Sequence, residues 1–241
     1  MKNHIPNAIT AANLFFGCLS IIATFDGNLS LAAGYIVVAA ILDYFDGFIA
    51  RILNAYSEMG KQLDSLADIV SFGVAPGMIF YALSGKYLYF DENFIQFVPL
   101  IIVLSYTSLL IPIFSGIRLA KFNIDSRQSD SFIGVPTPAI ALFICSIPFV
   151  IESGPLVAEH LFKSFWFIVL FPFVASYLLV AEIPLFALKF KTFGWEANKI
   201  RFVFIISCIL LISFFNYFGI SLSILLYVLL SLINNLFIHK K

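Results

Sequence analysis

Four aspartates stand where carboxylates are costly. Asp43 and Asp46 lie in the run Leu42-Asp43-Tyr44-Phe45-Asp46-Gly47-Phe48-Ile49-Ala50-Arg51, and Asp64 and Asp68 in Leu63-Asp64-Ser65-Leu66-Ala67-Asp68-Ile69. A charged side chain inside a membrane-spanning helix costs about 3 kcal/mol on insertion scales, so each of the four is a functional candidate. Residues three or four apart share a helical face, which pairs Asp43 with Asp46 and Asp64 with Asp68. The link between the two segments is short and contains Asn54, Ser57 and Gly60, so the helices are antiparallel neighbours and their pairs meet at one depth. Bare anions cannot share a weakly hydrated site; one or two hard divalent cations would hold them, and oxygen-only ligands suit Mg²⁺ or Mn²⁺. Gly47 and Ala50, on the same face, lack bulk and would let a phosphate-bearing ligand approach the backbone, with Arg51 as its ionic partner. Divalent ions beside a basic group describe phosphoryl transfer. The plainer reading, in which each Asp pairs with a nearby Lys or Arg or reaches the interface, suits one such residue better than four convergent ones.

The elements that position these residues follow from composition. The 241 residues are 61% hydrophobic, 17% aromatic and 12% charged, with no formal net charge. Soluble domains carry about 25% charged residues. So few charges cannot cover a water-facing surface, which argues against a soluble globular domain, a disordered chain and a basic nucleic-acid binder. Cys18, Cys145 and Cys208 lie far apart in apolar runs without metal-type spacing, and read as packing or lipid-facing residues. The 29 Phe read mainly as lipid contacts.

A spanning helix needs about 20 apolar residues. By that measure the sequence predicts eight spans: Ile9–Phe25, Leu29–Leu53, Leu63–Leu83, Phe94–Ala120, Ile133–Ile151, Ser164–Phe186, Phe202–Phe215 and Phe218–Phe237. Lys2 and His4 flank the first as in a signal peptide, but functional-looking residues begin inside it, so it reads as a span. With the N-terminus inside, Lys2, Arg51, Lys61, Arg118, Lys121, Arg127, Lys189, Lys191, Lys199, Arg201, Lys240 and Lys241 fall on the inner face, and Lys86 and Lys163 on the outer. That bias predicts cytoplasmic termini and a multi-pass protein of the cell (inner) membrane. The expected architecture is an all-α bundle forming one membrane domain over residues 1–241, with a six-helix catalytic core at 5–190 and an added helical hairpin at 191–241.

Written as a pattern, Asp43-x2-Asp46-Gly47-x2-Ala50-Arg51-x8-Gly60-x3-Asp64-x3-Asp68 fixes eight residues over 26 positions. It resembles the signature of the CDP-alcohol phosphatidyltransferases at every defined position. The resemblance implies a helical bundle around a cytoplasm-facing polar cavity, where a two-metal site holds the diphosphate of a CDP-linked lipid while an alcohol displaces CMP. It further implies that Asp43, Asp46, Asp64 and Asp68 bind the metals, that Asp68 is the general base, and that Gly47, Ala50 and Arg51 contact the CDP group, with Gly60 completing the pattern. Other strings look like the phosphatidylserine synthase branch: Ile5-Pro6-Asn7-Ala8-Ile9-Thr10-Ala11-Ala12-Asn13-Leu14-Phe15-Phe16-Gly17, Ser65 to Pro76, Arg118-Leu119-Ala120-Lys121-Phe122-Asn123 and Phe132 to Pro138. These imply CDP-diacylglycerol and L-serine as substrates, CMP as product, and a homodimer. Lys121 stands where the string is expected to carry arginine; it keeps the charge but loses the bidentate fork. Arg118 is therefore the stronger contact for a serine carboxylate or phosphate, with Ser71 and Lys121 as further candidates.

Thr10 and Asn13, three apart on the first span, could hydrogen-bond the CDP-lipid or serine, or join helices. Glu182 could face the cavity or the interface, and Pro76 and Pro138 read as kinks. His4, His160 and His239 lie outside the cluster. Three rivals remain. A transferase for glycerol 3-phosphate or inositol phosphate would need more cavity arginines than Arg51 and Arg118. A cation transporter would place acidic residues at the bilayer midplane and on both sides. A prenyltransferase would lack the Asp-Gly-x2-Ala-Arg element.

Overall fold

The computed structural model describes residues 4–89, 98–125, 131–186 and 194–238. Helix α1 (His4–Phe25) packs along α2 (Leu29–Leu53), and the two are joined by Gly27, whose φ of +78° favours glycine. Asn28 caps α2 by accepting the Leu31 N–H at 3.1 Å. The other end of α2 closes at Asn54 in the left-handed region, with the Ala55 N–H donating to the Ala50 carbonyl at 2.9 Å. Three residues later Ser57 accepts the Gly60 N–H at 3.0 Å and starts α3 (Glu58–Asp68). The two caps turn the chain back on itself within a few residues.

From α3 the chain runs through a π-helical stretch, Ile69–Val74, into α4 (Ala75–Tyr89), and then through α5 (Val98–Ser105) and a 3₁₀ turn (Tyr106–Leu109) into α6 (Leu110–Ile124). The π stretch precedes Pro76, so the backbone loosens there rather than kinking sharply. It wedges between α1 and α6 at two close approaches. A Cβ at Gly17 would collide with Ser71, and one at Gly73 would meet Ser115 Cβ at 3.1 Å.

The second half comprises α7 (Thr137–Ser153), α8 (Leu156–Lys163), α9 (Phe165–Val180), α10 (Trp195–Phe215) and α11 (Tyr217–Ile238). The last two form a hairpin whose α11 packs on α7. Strands β1 (Ser131–Ile133) and β2 (Pro184–Phe186) pair antiparallel, Phe132 opposite Leu185.

Several expectations change. Five helices are long and apolar enough to cross a membrane among the described residues, and α8 with α9, bent by 73°, would make six; α7 has 17 residues. Helix α2 has the length, at 25 residues, but carries Asp43, Asp46 and Arg51. The count of eight is therefore not reproduced. The expected third span is part of a longer rod, Glu58–Leu88. The fifth and sixth spans are shorter than expected at one end each, because Ile133 and Pro184–Phe186 belong to the ribbon and α9 stops at Val180. Pro138 stands in the first turn of α7, where its missing N–H costs nothing, and so starts a helix instead of kinking one. The fourth span's start, and Lys2, Arg127, Lys189, Lys191, Lys240 and Lys241, lie outside the described residues.

Phenylalanines are not only lipid contacts. Phe72, Phe80, Phe143 and Phe162 are buried, and Phe171 stacks between Phe80 at 5.1 Å and Phe143 at 5.0 Å. Ile36, Ile79, Ile144, Ile147 and Leu179 fill the same core, while Phe15, Ile22, Trp166 and Phe214 face outward in the apolar surface of a multi-pass membrane protein. Lys86 and Lys163 both lie over the Tyr87 ring, at 5.6 and 5.3 Å from its centroid.

Candidate active site and metal cluster

A cavity of about 410 Å³ opens between α1, the end of α2 and the start of α3. Asp43, Asp46, Asp64 and Asp68 all line it, with Thr10, Gly47, Ala50 and Gly60. The helical period of α2 and α3 and the capped turn between them bring the pairs together. One oxygen from each of Asp43, Asp64 and Asp68 lies within 4.8 Å of the others. Like charges about 4 Å apart repel by about 4 kcal/mol at an effective dielectric of about 20. Such a group is stable when a cation lies among its oxygens. Asp68 Oδ1 is buried with no hydrogen-bond partner, an orphan that a metal ion would satisfy. The donor set is all oxygen, and it fits a hard divalent cation.

Asp46 is held differently. Its Oδ2 accepts the Thr10 hydroxyl at 2.6 Å, and the residue is only 5% exposed. Thr10 thus meets the site by gripping a carboxylate. Gly47 has only Arg51 near it, at 3.8 Å from an added Cβ, so a ligand can approach the backbone there. Arg51 itself is exposed, its Nε donating to the Gly47 carbonyl at 2.9 Å, and it does not line the cavity.

Asn13 and Ser71 are not brought to this cavity. Asn13 is fully buried with both side-chain amide atoms unpartnered, and its carbonyl accepts the Ser71 hydroxyl at 3.1 Å. Both sit where α1 meets the π stretch. Asn7, Tyr56, Ser57 and Lys61 line the cavity without having been singled out for it. Asn7 falls within the opening string and Lys61 follows Gly60, so position in those motifs was the available signal.

A second cavity, about 340 Å³, has a wall of mixed charge: Arg118, Lys121, Asp125 and Glu182, with Ile133 and Leu179. Arg118 is 6% exposed, stands over the Phe122 ring at 5.8 Å, leaves its Nε unpartnered, and interacts electrostatically with the Asp68 carboxylate. It therefore links the aspartate cluster to the second cavity. Glu182, which the sequence places either at the cavity or at the interface, is exposed on that wall.

In sequence the chain is similar to known proteins. The family model for CDP-alcohol phosphatidyltransferase matches residues 3–174. The chain is similar to a protein of Helicobacter pylori strain J99 named CDP-diacylglycerol--serine O-phosphatidyltransferase, 40% identical over 141 residues, which is 58% of this chain and 54% of that protein. A Bacillus subtilis protein of the same name is 38% identical over 147 residues, 61% of this chain and 76% of that one. An archaetidylserine synthase of Methanothermobacter thermautotrophicus is 31% identical over 144 residues, 59% of this chain and 56% of that one. The matched stretch thus spans about half the length of the Helicobacter pylori relative.

Proposed function

The chain belongs to the CDP-alcohol phosphatidyltransferase family, and from that premise we propose that it transfers the phosphatidyl group of CDP-diacylglycerol to the hydroxyl of L-serine, releasing CMP. The observation that carries this reading is the convergence of Asp43, Asp64 and Asp68 on a cavity whose other walls include Thr10, Gly47, Ala50 and Gly60. The names of the relatives support serine as the acceptor. So does the second cavity: two cations and two carboxylates on its wall complement a zwitterionic amino acid better than a doubly anionic phosphate.

Asp43, Asp46, Asp64 and Asp68 would hold two Mg²⁺ or Mn²⁺ ions, which when bound offset charge on the diphosphate and on the departing CMP. The chain's own groups do the rest. Thr10 fixes the Asp46 carboxylate through its hydroxyl. Gly47 and Ala50 would let the CDP group come close to the helix, with the exposed Arg51, bonded to the Gly47 carbonyl, as its ionic partner. Arg118 and Lys121 orient the serine carboxylate, and Glu182 faces its ammonium. Asp68 accepts the serine hydroxyl proton as Oγ bonds to the phosphorus bearing diacylglycerol, and the bond from that phosphorus to the CMP oxygen breaks.

The orientation serves this chemistry. With both termini in the cytoplasm of a cell-membrane protein, serine and CMP exchange with the aqueous side while the acyl chains stay in the bilayer. The convergence of Lys86 and Lys163 on Tyr87 supports a common outer end for the two outer lysines. The working form is read as a homodimer, and residues 1–241 as one membrane domain.

The test is CMP release by purified protein in detergent, given CDP-diacylglycerol, Mg²⁺ or Mn²⁺ and, in turn, serine, glycerol 3-phosphate or inositol phosphate. Release with serine alone, abolished by EDTA and restored by the metal, is expected. Release only with another alcohol would keep the family and overturn serine.

A further inference from the structure

The family match ends at residue 174, yet Leu179, Val180 and Glu182 on one part of the second cavity's wall lie beyond it, next to a ribbon that the last helix fastens. Tyr227 of α11 is 7% exposed, and its hydroxyl donates to the Phe186 carbonyl at 2.9 Å. Two turns on, Asn235 Nδ2 donates to the Pro184 carbonyl at 2.7 Å. Helix α11 therefore grips β2 at both of its ends. Strand β2 pairs with β1, and the Gly134 and Val135 N–H groups carry the attachment onward, donating to Ile183 at 3.0 Å and Leu178 at 2.9 Å. Ile133, Leu179 and Glu182, which line the cavity together with Arg118, sit on or beside this ribbon. The Tyr227 ring is itself fixed, edge-on to Phe186 at 5.0 Å and beside Phe204 of α10 at 5.5 Å.

We propose that Tyr227 is a positioning residue for the acceptor alcohol: by tying α11 to β2 it holds the ribbon wall of the second cavity at the distance from Arg118 that the acceptor requires. It touches neither the CDP cavity nor the aspartates. The inference rests on the transfer reading for its kinetic consequence, and on hydrogen bonds alone for its structural one. A three-residue ribbon has too few ladder bonds to hold itself, so the outside fastening sets its place.

The test is Tyr227→Phe, which keeps the ring and removes the bond to Phe186. One net hydrogen bond is worth about three- to tenfold in an equilibrium. The KM for the acceptor, whichever of the three alcohols supports CMP release, is therefore expected to rise by about that factor, with kcat and the KM for CDP-diacylglycerol unchanged. Amide hydrogen exchange over 131–135 is expected to quicken, a readout independent of activity. Asn235→Ala should act in the same direction. Tyr217→Phe, at the opposite end of α11, should change nothing. An unchanged acceptor KM, or a fall in kcat without any change in acceptor KM, would overturn the inference and leave the transfer reading standing. Wild-type protein releasing no CMP with any alcohol would overturn both.

Discussion

Asp68 meets two demands at once: its carboxylate belongs to the three-oxygen cluster, and it is the group that Arg118 answers across to the second cavity. Asp68→Asn keeps the volume while removing both charge and basicity, and is expected to lower CMP release by about 10²–10⁴-fold, measured against a thermal melt that shows the variant folded. Thr10→Val is subtler. It removes the donor to Asp46 at nearly constant shape, so the metal concentration for half-maximal activity is expected to rise about three- to tenfold while the maximal rate is largely kept. The aspartates were legible in the sequence because helical period converts spacings of three and four into shared faces. The role of Thr10 was legible only in part: its face could be read, but not that its partner is a carboxylate 36 residues away. Asn13 shows another limit. A polar residue in an apolar run reads equally as a ligand contact or as a contact between helices, and its place against Ser71 is the second of these.

At the scale of elements, the turn between α2 and α3 was readable from Asn54, Ser57 and Gly60, since capping chemistry is local. The ribbon was not. Strands of three residues carry no period, and their pairing joins residues more than 50 positions apart, Ser131 with Phe186. They were absorbed into the neighbouring apolar runs, which lengthened the predicted fifth and sixth spans. The π stretch escaped for a related reason: Pro76 reads as a kink, and the packing of the stretch between α1 and α6 is not visible in its own sequence. That packing is testable. Gly17→Ala places a methyl group against Ser71 and is expected to destabilise the protein by about 1–3 kcal/mol, read as a lower melting temperature in detergent. Ser71→Gly in the same chain should recover part of the loss; no change in either variant would contradict the packing.

For the whole molecule, the proposed orientation rests on charge asymmetry and on the cytoplasmic serine that the proposed chemistry needs. Lysines at residues 86 and 163 share one aromatic ring, whereas Lys61 lines the aspartate cavity. With Cys18, Cys145 and Cys208 replaced by alanine, Lys86→Cys is expected to react with a membrane-impermeant maleimide in intact cells, and Lys61→Cys only after permeabilisation. The reverse pattern would invert the protein and leave its cavity without cytoplasmic serine. The central claim is that the serine hydroxyl oxygen attacks phosphorus at the aspartate cluster. It is tested most directly by supplying serine labelled with ¹⁸O in its hydroxyl, together with CDP-diacylglycerol and Mg²⁺ or Mn²⁺, and weighing the lipid product by mass spectrometry. The account predicts phosphatidylserine that retains the label, formed one for one with CMP and absent with Asp68→Asn; unlabelled product, or CMP formed without any serine-containing lipid, would contradict it.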